Sequence, residues 1–182
     1  MARIGFIRGK ADVDPEYQDI VDSVIEVFGN VRGPFSVLLH SPLLADRVLG
    51  LVKFNREACS VESKLRSLAI LATVRERESE YVWAAQVGAA RRAGVREEAI
   101  DVLRAKGDPN TLLPEERDIV VYAQQLACTN RVDKAVFDVL DNRYGTPWLV
   151  ELTAVANFFG FLSGMTNAFE VPVAEGGDRF SG

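Results

Sequence analysis

The sequence predicts an all-α protein made of a single domain, and three observations support this. Apolar residues recur at the spacing of one helix face, as at Leu65, Leu68, Ala69 and Ala72. Proline and glycine stand where helices begin and end. No segment alternates apolar and polar residues long enough, with β-branched enrichment, to indicate a strand. At 182 residues the chain is long enough to bury a substantial core in one domain.

The boundary signals place the helices in order along the chain. Asp14-Pro15 begins the first helix and Gly29-Asn30 ends it, while Ser60 is the expected cap of the fourth. The predicted helices cover approximately residues 15–29, 34–40, 42–57, 60–74, 79–94, 96–105, 114–128, 133–144 and 147–169. A short arm precedes them, and the glycine-rich residues 175–178 predict a flexible C-terminal tail.

Composition and charge narrow the function classes. The chain is 48% hydrophobic and 26% charged, as in ordinary globular proteins. Its formal net charge is -5 and it has no basic stripe, which argues against a nucleic-acid partner. The two cysteines, Cys59 and Cys128, form no paired motif and fit a reducing compartment. Residues 1–8 are too short and too interrupted for a signal peptide, so a cytoplasmic location is expected.

The segment from Leu152 to Phe169 contains no charged side chain over 18 residues. This length approaches that of a membrane span. However, it includes Asn157 and two glycines, Gly160 and Gly164, and no basic cluster flanks it. We therefore expect a helix buried in the core or in a subunit interface, and no membrane partner.

Two neighbouring stretches, residues 65–72 (LRSLAILA) and 79–86 (SEYVWAAQ), resemble the core of the carboxymuconolactone decarboxylase and alkylhydroperoxidase D family. Shorter similarities at residues 40–42, 93–98 and 151–172 extend the resemblance over roughly residues 35–172. The resemblance implies a helical fold, assembly as a homo-oligomer (a trimer or hexamer), and pockets near the subunit contacts.

Peroxidases of that family use a glutamate, a Cys-x-x-Cys pair and a histidine, which correspond here to Ser67, Ser79, Val82 and Gln86. A serine hydroxyl does not ionise near neutral pH and cannot cycle through a sulfenic acid. Valine has no reactive atom, and glutamine cannot carry a proton through a cycle. The sequence therefore argues against a thiol peroxidase.

The same four positions are the predicted site. Ser79, Val82 and Gln86 are spaced i, i+3 and i+7 and share one helix face, and the resemblance places Ser67 on the preceding helix facing the same space. Ser67, Ser79, Val82 and Trp83 are predicted to bind substrate. The alternative is that the pocket is filled and these are packing residues.

Three residues are candidates for a catalytic role: Gln86, Tyr81 and His40. Gln86 and Tyr81 can donate hydrogen bonds, and His40, the single histidine, can act as a base near neutral pH. The alternatives are that Tyr81 and Trp83 belong to the core or an interface, and that His40 holds local backbone.

Two functions remain open. The first is a non-redox lyase or decarboxylase acting on a small carboxylated or cyclic substrate, and the second is a catalytically silent binding or assembly protein of the same fold. No metal-ligand spacing and no phosphate-binding glycine loop is present, so we predict that the protein uses neither metal nor cofactor.

Overall fold

The computed structural model describes residues 2–180, and within this range the chain forms two units. Unit 1 contains residues 2–59 and 165–172, and unit 2 contains residues 60–164 and 173–180. The single-domain organisation stays a prediction. All the predicted site residues except His40 belong to unit 2.

The all-α prediction is confirmed, since every regular element within residues 2–180 is helical. The helices are α1 (Gln18–Phe28), α2 (Pro34–Leu38), α3 (Pro42–Glu57), α4 (Ser63–Glu76), α5 (Glu80–Arg92), α6 (Glu97–Arg104), α7 (Pro114–Thr129), α8 (Lys134–Tyr144) and α9 (Thr146–Ala168). Short 3₁₀ turns lie at Lys10–Asp12, Pro15–Tyr17 and Pro109–Thr111.

Two predicted helix starts are wrong. The first helix begins at Gln18, because Pro15–Tyr17 forms a 3₁₀ turn before it. Ser60 does not cap α4, which begins at Ser63 after Glu62. Instead the backbone N–H of Ser60 donates to a carboxylate oxygen of Glu151 on α9, at 2.5 Å. A contact distant in sequence thus replaces the local cap.

Unit 1 packs α1 and α2 against α3. Val21 and Val24 of α1 are fully buried in its core. The guanidinium of Arg56 lies 4.7 Å from the ring centre of Phe28 and donates to the carbonyl of Val27 at 2.8 Å, which ties the end of α3 to the end of α1.

Unit 2 is organised around α4, which packs against α5, α6 and α7. Every residue from Leu68 to Val74 is buried, so two consecutive turns of this helix have no solvent-facing side. A helix that is apolar on all sides requires neighbours on all sides. For this reason α4 is the central element of the unit that contains the predicted site.

A buried carboxylate joins α4 and α7 to the chain that precedes α6. Glu116, near the start of α7, is 1% exposed. Arg96 donates to both of its oxygens, at 3.2 and 2.8 Å, and the ammonium of Lys64 on α4 lies 3.2 Å away. The hydrogen bonds from Arg96 and then those from Lys64 outweigh the cost of burial and hold the pKa of Glu116 below its ordinary value.

We expect Glu116→Gln to lower the free energy of unfolding by about 1–3 kcal/mol, the usual contribution of hydrogen bonds to a charged group. Because the folded-state pKa of Glu116 is lowered, its contribution is present above the unfolded-state value and is lost as pH falls through the folded-state value. Urea unfolding between pH 7 and pH 3 measures both effects. Glu98→Gln, an exposed carboxylate that also pairs with Arg96, is the control and should change little. A Glu116→Gln curve that parallels the native curve over this range would contradict the assignment.

One face of α9 leaves apolar side chains exposed. Val150 is 61% exposed and Phe161 39% exposed, and Ala154 and Asn157 lie between them at heptad spacing. A groove of about 300 Å³ lies beside this face, lined by Phe137 of α8 together with residues of the first turns of α9. By length and composition α9 also qualifies as a membrane span, but 44% of its most apolar window is buried, and a core helix of a soluble protein passes the same test.

The exposed face of α9 leads us to expect a stable homo-oligomer in solution, in which a second copy covers Val150 and Phe161. Val150→Asp with Phe161→Glu places two charges on this face and should reduce the particle to a 20.0 kDa monomer. Light scattering coupled to size exclusion measures the mass. Asn142→Asp, at an exposed position on α8, controls for added surface charge. A native protein that already elutes as a monomer at micromolar concentration would contradict the expectation.

Candidate functional site

The predicted site is built on the hairpin of α4 and α5. Only residues 77–79 connect the two helices, so the chain reverses direction and the helices pack side by side. Glu78 has φ +52°, the left-handed conformation with which helices commonly end. α5 ends at Arg92, and Gly94, two residues later, has a φ of +85° that suits a residue without a side chain.

The two positions that correspond to the redox cysteines are both buried. Ser79 precedes the first residue of α5, has extended backbone angles and is 0% exposed. Its carbonyl accepts the N–H of Trp83 at 2.9 Å, which begins the helical hydrogen bonds. Val82 is 3% exposed. These side chains are therefore enclosed by the protein.

Ser67 and Gln86 are half-buried, on α4 and α5 respectively. Ser67 lies eleven residues before Glu78 and Gln86 eight residues after it. In an antiparallel pair their levels along the helix axes thus differ by only about one turn. Both helices pack together, which is the arrangement that the prediction requires. That the two side chains line one cavity remains a prediction.

The other candidates lie in different surroundings. Tyr81 is half-buried in the first turn of α5. His40 is exposed in unit 1, and its Nε2 lies 2.8 Å from the carbonyl oxygen of Gly5. This contact fits the alternative given above for His40, in which its side chain holds backbone and takes no part in catalysis.

Trp83 lies at the centre of a contact network that the sequence did not reveal. It is 0% exposed, and its indole N–H donates to a carboxylate oxygen of Asp178 at 3.1 Å. The ring of Phe180 meets the indole edge to face, with centres 5.7 Å apart. The residues interpreted from sequence as a flexible tail therefore pack on α5.

Arginines complete this network. Arg104 of α6 lies 3.2 Å from Asp178, and Arg91 of α5 lies 3.3 Å from the same carboxylate. Arg75 of α4 lies 4.2 Å from the ring centre of Phe180 and donates to the carbonyl of Arg104 at 2.8 Å. One feature of the sequence could have indicated that the tail is packed. An acid and an aromatic residue, Asp178 and Phe180, stand two residues apart after two glycines.

The Asp178 carboxylate is ionised in this setting. Burial by itself raises its pKa, but the hydrogen bond from Trp83 and the charges of Arg104 and Arg91 outweigh burial, so the pKa lies below its ordinary value. Gly177 allows the tail to fold closely on its own preceding residues. A side-chain carbon there would lie 2.7 Å from Val173 and 3.0 Å from the carbonyl of Ala174, so only glycine fits without displacement.

Cys128 does not have the surroundings of a reactive thiol. Cys59 is half-buried at the end of unit 1. Cys128 is exposed, and its thiol donates to a carboxylate oxygen of Glu76 at 3.5 Å. Burial of the sulfur and the negative charge of Glu76 raise the pKa of the Cys128 thiol. A peroxidatic cysteine requires the opposite shift.

Within residues 2–180, no group of three His, Cys, Asp or Glu side chains is arranged to hold a metal ion. The buried carboxylate of Glu116 and the half-buried carboxylate of Asp178 are instead bound by arginine and lysine. The prediction that the protein uses neither metal nor cofactor stays a prediction.

Solved structures share this fold. An alkylhydroperoxidase AhpD core, a peroxidase-related protein from Ralstonia eutropha JMP134, matches with a TM-score of 0.75 and 18% identity over 96% of this chain and 93% of that chain. A cysteine-to-alanine variant of the debrominase Bmp8, solved in complex with 2,3,4-tribromopyrrole, matches with a TM-score of 0.72 and 17% identity over 96% of this chain and 94% of that chain. No protein-family model and no curated protein sequence matches. The chain therefore has the AhpD-like fold, in agreement with the resemblance seen in its sequence.

We expect no dithiol-dependent peroxidase activity. Turnover of an organic hydroperoxide in the presence of a dithiol should equal the rate without protein, because Ser79 and Val82 replace the reactive pair and the pKa of Cys128 is raised. In a Cys59→Ser background, Glu76→Gln should speed alkylation of Cys128 by iodoacetamide near neutral pH, since it removes a negative charge beside the thiol. Glu78→Gln, on the neighbouring turn, is the control. A hydroperoxide rate that vanishes in Cys59→Ser or Cys128→Ser would overturn this expectation.

Proposed function

We propose that the protein is a non-redox enzyme with the AhpD-like fold, a lyase or decarboxylase acting on a small carboxylated or cyclic organic substrate. The observation that supports this is the composition of the α4–α5 pair. The two thiol positions are filled by the buried Ser79 and Val82, whereas Ser67 and Gln86 stay half-buried with polar groups that can reach a ligand.

A neutral polar site of this kind suits heterolytic loss of carbon dioxide. The bond between the carboxylate carbon and its neighbour breaks, carbon dioxide leaves, and the electron pair moves to an adjacent carbonyl or conjugated system of the substrate. The Gln86 amide would donate a hydrogen bond to the oxygen that gains charge. A proton from Tyr81 or water then completes the product. The reaction needs no oxidant and no reductant, which fits the missing thiol pair.

The substrate class is supported by one neighbour of the fold. The debrominase Bmp8 variant is described in complex with a brominated pyrrole, which is a small cyclic molecule. A fold that binds such a ring in one protein supplies a scaffold for a compound of similar size in another, although fold by itself does not determine chemistry.

A catalytically silent binding or assembly protein is the second candidate. It is favoured by the complete burial of Ser79 and the near-complete burial of Val82, which is what a filled pocket would produce. The apolar face of α9 would then serve assembly. For either function we propose a cytoplasmic homo-oligomer with no nucleic-acid or membrane partner.

Gln86 provides the test of the enzyme proposal. We expect Gln86→Ala to slow carbon dioxide release roughly ten- to a hundredfold, because an unpaired buried ligand group costs about 1–3 kcal/mol. A panel of β-oxo and lactone carboxylates, monitored for carbon dioxide release, identifies the substrate first. Gln86→His introduces a titratable group, so its rate should acquire a pH dependence near neutrality.

Gln18→Ala is the matched control, since Gln18 is a half-buried amide in unit 1 that donates to the carbonyl of Lys10. It should leave turnover unchanged. One outcome would favour the binding protein over the enzyme. In it, no member of the panel releases carbon dioxide, and a member of the panel binds saturably to the native protein but not to Gln86→Ala. Equal turnover by Gln86→Ala and the native protein would remove Gln86 from the site.

A further inference from the structure

The C-terminal segment of unit 2 presents two chemical groups to helices α4, α5 and α6, a carboxylate and an aromatic ring. Asp178 supplies the carboxylate and Phe180 the ring, two residues apart. Three donors converge on the carboxylate: the indole N–H of Trp83 and the guanidinium groups of Arg91 and Arg104. Each guanidinium also pairs with a second carboxylate, Arg91 with Glu97 and Arg104 with Asp101, which holds both donors in place beside Asp178.

The ring is held as specifically as the carboxylate. The Phe180 ring lies between the edge-to-face indole of Trp83 and the guanidinium of Arg75, whose centre is 4.2 Å from the ring centre. Aromatic contacts and cation–π contacts both depend on geometry beyond simple burial. Arg75 is fixed in turn by its hydrogen bond to the carbonyl of Arg104. The surface that receives the tail is therefore built from rigid helices α4, α5 and α6.

The tail, in contrast, is largely exposed: residues 174–176 and 179 face solvent, whereas Asp178 and Phe180 are half-buried. It has no regular secondary structure, and its glycines at 176 and 177 weaken its own conformational preference. A segment with few buried contacts separates from its unit at a lower free energy than the core does. The contacts of α4 with α5, α6 and α7 are between helices, so we expect these helices to keep their positions when the tail leaves.

We propose that the cleft formed by Trp83, Arg75, Arg91 and Arg104 is a binding site for a small aromatic carboxylate, and that Asp178 and Phe180 occupy it from within the same chain. The tail thus acts as an internal competitor, and a ligand binds by displacing it. The site is lined by arginines, whereas the Ser67 and Gln86 site is neutral, and this inference does not rest on the proposed function.

The experiment uses Trp83 as the reporter. The chain has two tryptophans, so Trp148→Phe leaves Trp83 as the single fluorophore. In that background, Asp178→Ala with Phe180→Ala releases the tail, and 3-phenylpropionate is the probe. We expect a red-shifted emission on release, then saturable quenching by the probe, with a Kd at least tenfold lower than in the parent that keeps its tail.

Three measurements separate this site from general apolar binding: a variant in the site, a matched variant outside it and an uncharged probe. Arg104→Gln, added to the released variant, should weaken the probe about tenfold, as expected for loss of one charge-assisted hydrogen bond. Arg92→Gln, on the exposed side of α5 and without an ion pair to Asp178, should not. The alcohol 3-phenylpropanol, which has the ring without the charge, should bind at least tenfold more weakly than the acid.

Several results would overturn the proposal. One is a released variant with native circular dichroism that shows no saturable quenching at millimolar probe. Others are equal affinity with and without the tail, and binding that survives Arg104→Gln. If the double substitution prevents folding, Asp178→Asn alone keeps the side-chain shape and removes the charge. It should then bind the probe more tightly than the parent, and failure to do so also overturns the proposal.

Discussion

The burial of α4 on all sides is the constraint on which unit 2 depends. Residues 68–74 have no solvent-facing position, so α5, α6 and α7 must each cover part of the same helix. Such a helix gains its stability from its neighbours and little from its own propensity. Glu116 fixes the position of α4 relative to the start of α7, because its buried carboxylate binds both Lys64 and Arg96. Apolar packing alone tolerates sliding, whereas a buried ion pair penalises it.

This constraint also bears on the predicted site. Ser79 and Val82 are both buried beside α4, so the α4–α5 pair encloses them whatever their chemistry. A fold can be kept while the side chains of a site differ, because fold does not determine chemistry. Ser67 and Gln86 stay half-buried, which is why the proposed function is argued from these two residues.

Trp83 connects the predicted site to the C-terminal segment. Val82 and Gln86 lie on one side of α5. Trp83, the residue after Val82, is covered by Asp178 and Phe180. A hydrogen-bonded indole and three arginines give this part of the unit a charge and an aromatic character that the neutral positions lack. The two regions therefore differ in charge and in aromatic character although they share one helix.

The sequence by itself determined the helical class and most boundaries, because apolar spacing and proline or glycine punctuation act locally. As predicted, Pro114 begins α7, and glycines follow the ends of α5 and α8, at Gly94 and Gly145. The resemblance to the AhpD-like fold was also present in the sequence, through the spacing of Ser67, Ser79, Val82 and Gln86.

Tertiary structure decided what depends on contacts distant in the chain. Ser60 does not cap α4 because the helix begins only at Ser63, and the Ser60 backbone N–H binds Glu151, which lies 91 positions away. The tail is packed because Asp178 reaches three donors on two helices, and no local pattern records where those donors converge. Burial of Ser79 likewise follows from the packing of α4 against α5. From sequence alone, a serine before a helix is equally consistent with an exposed cap.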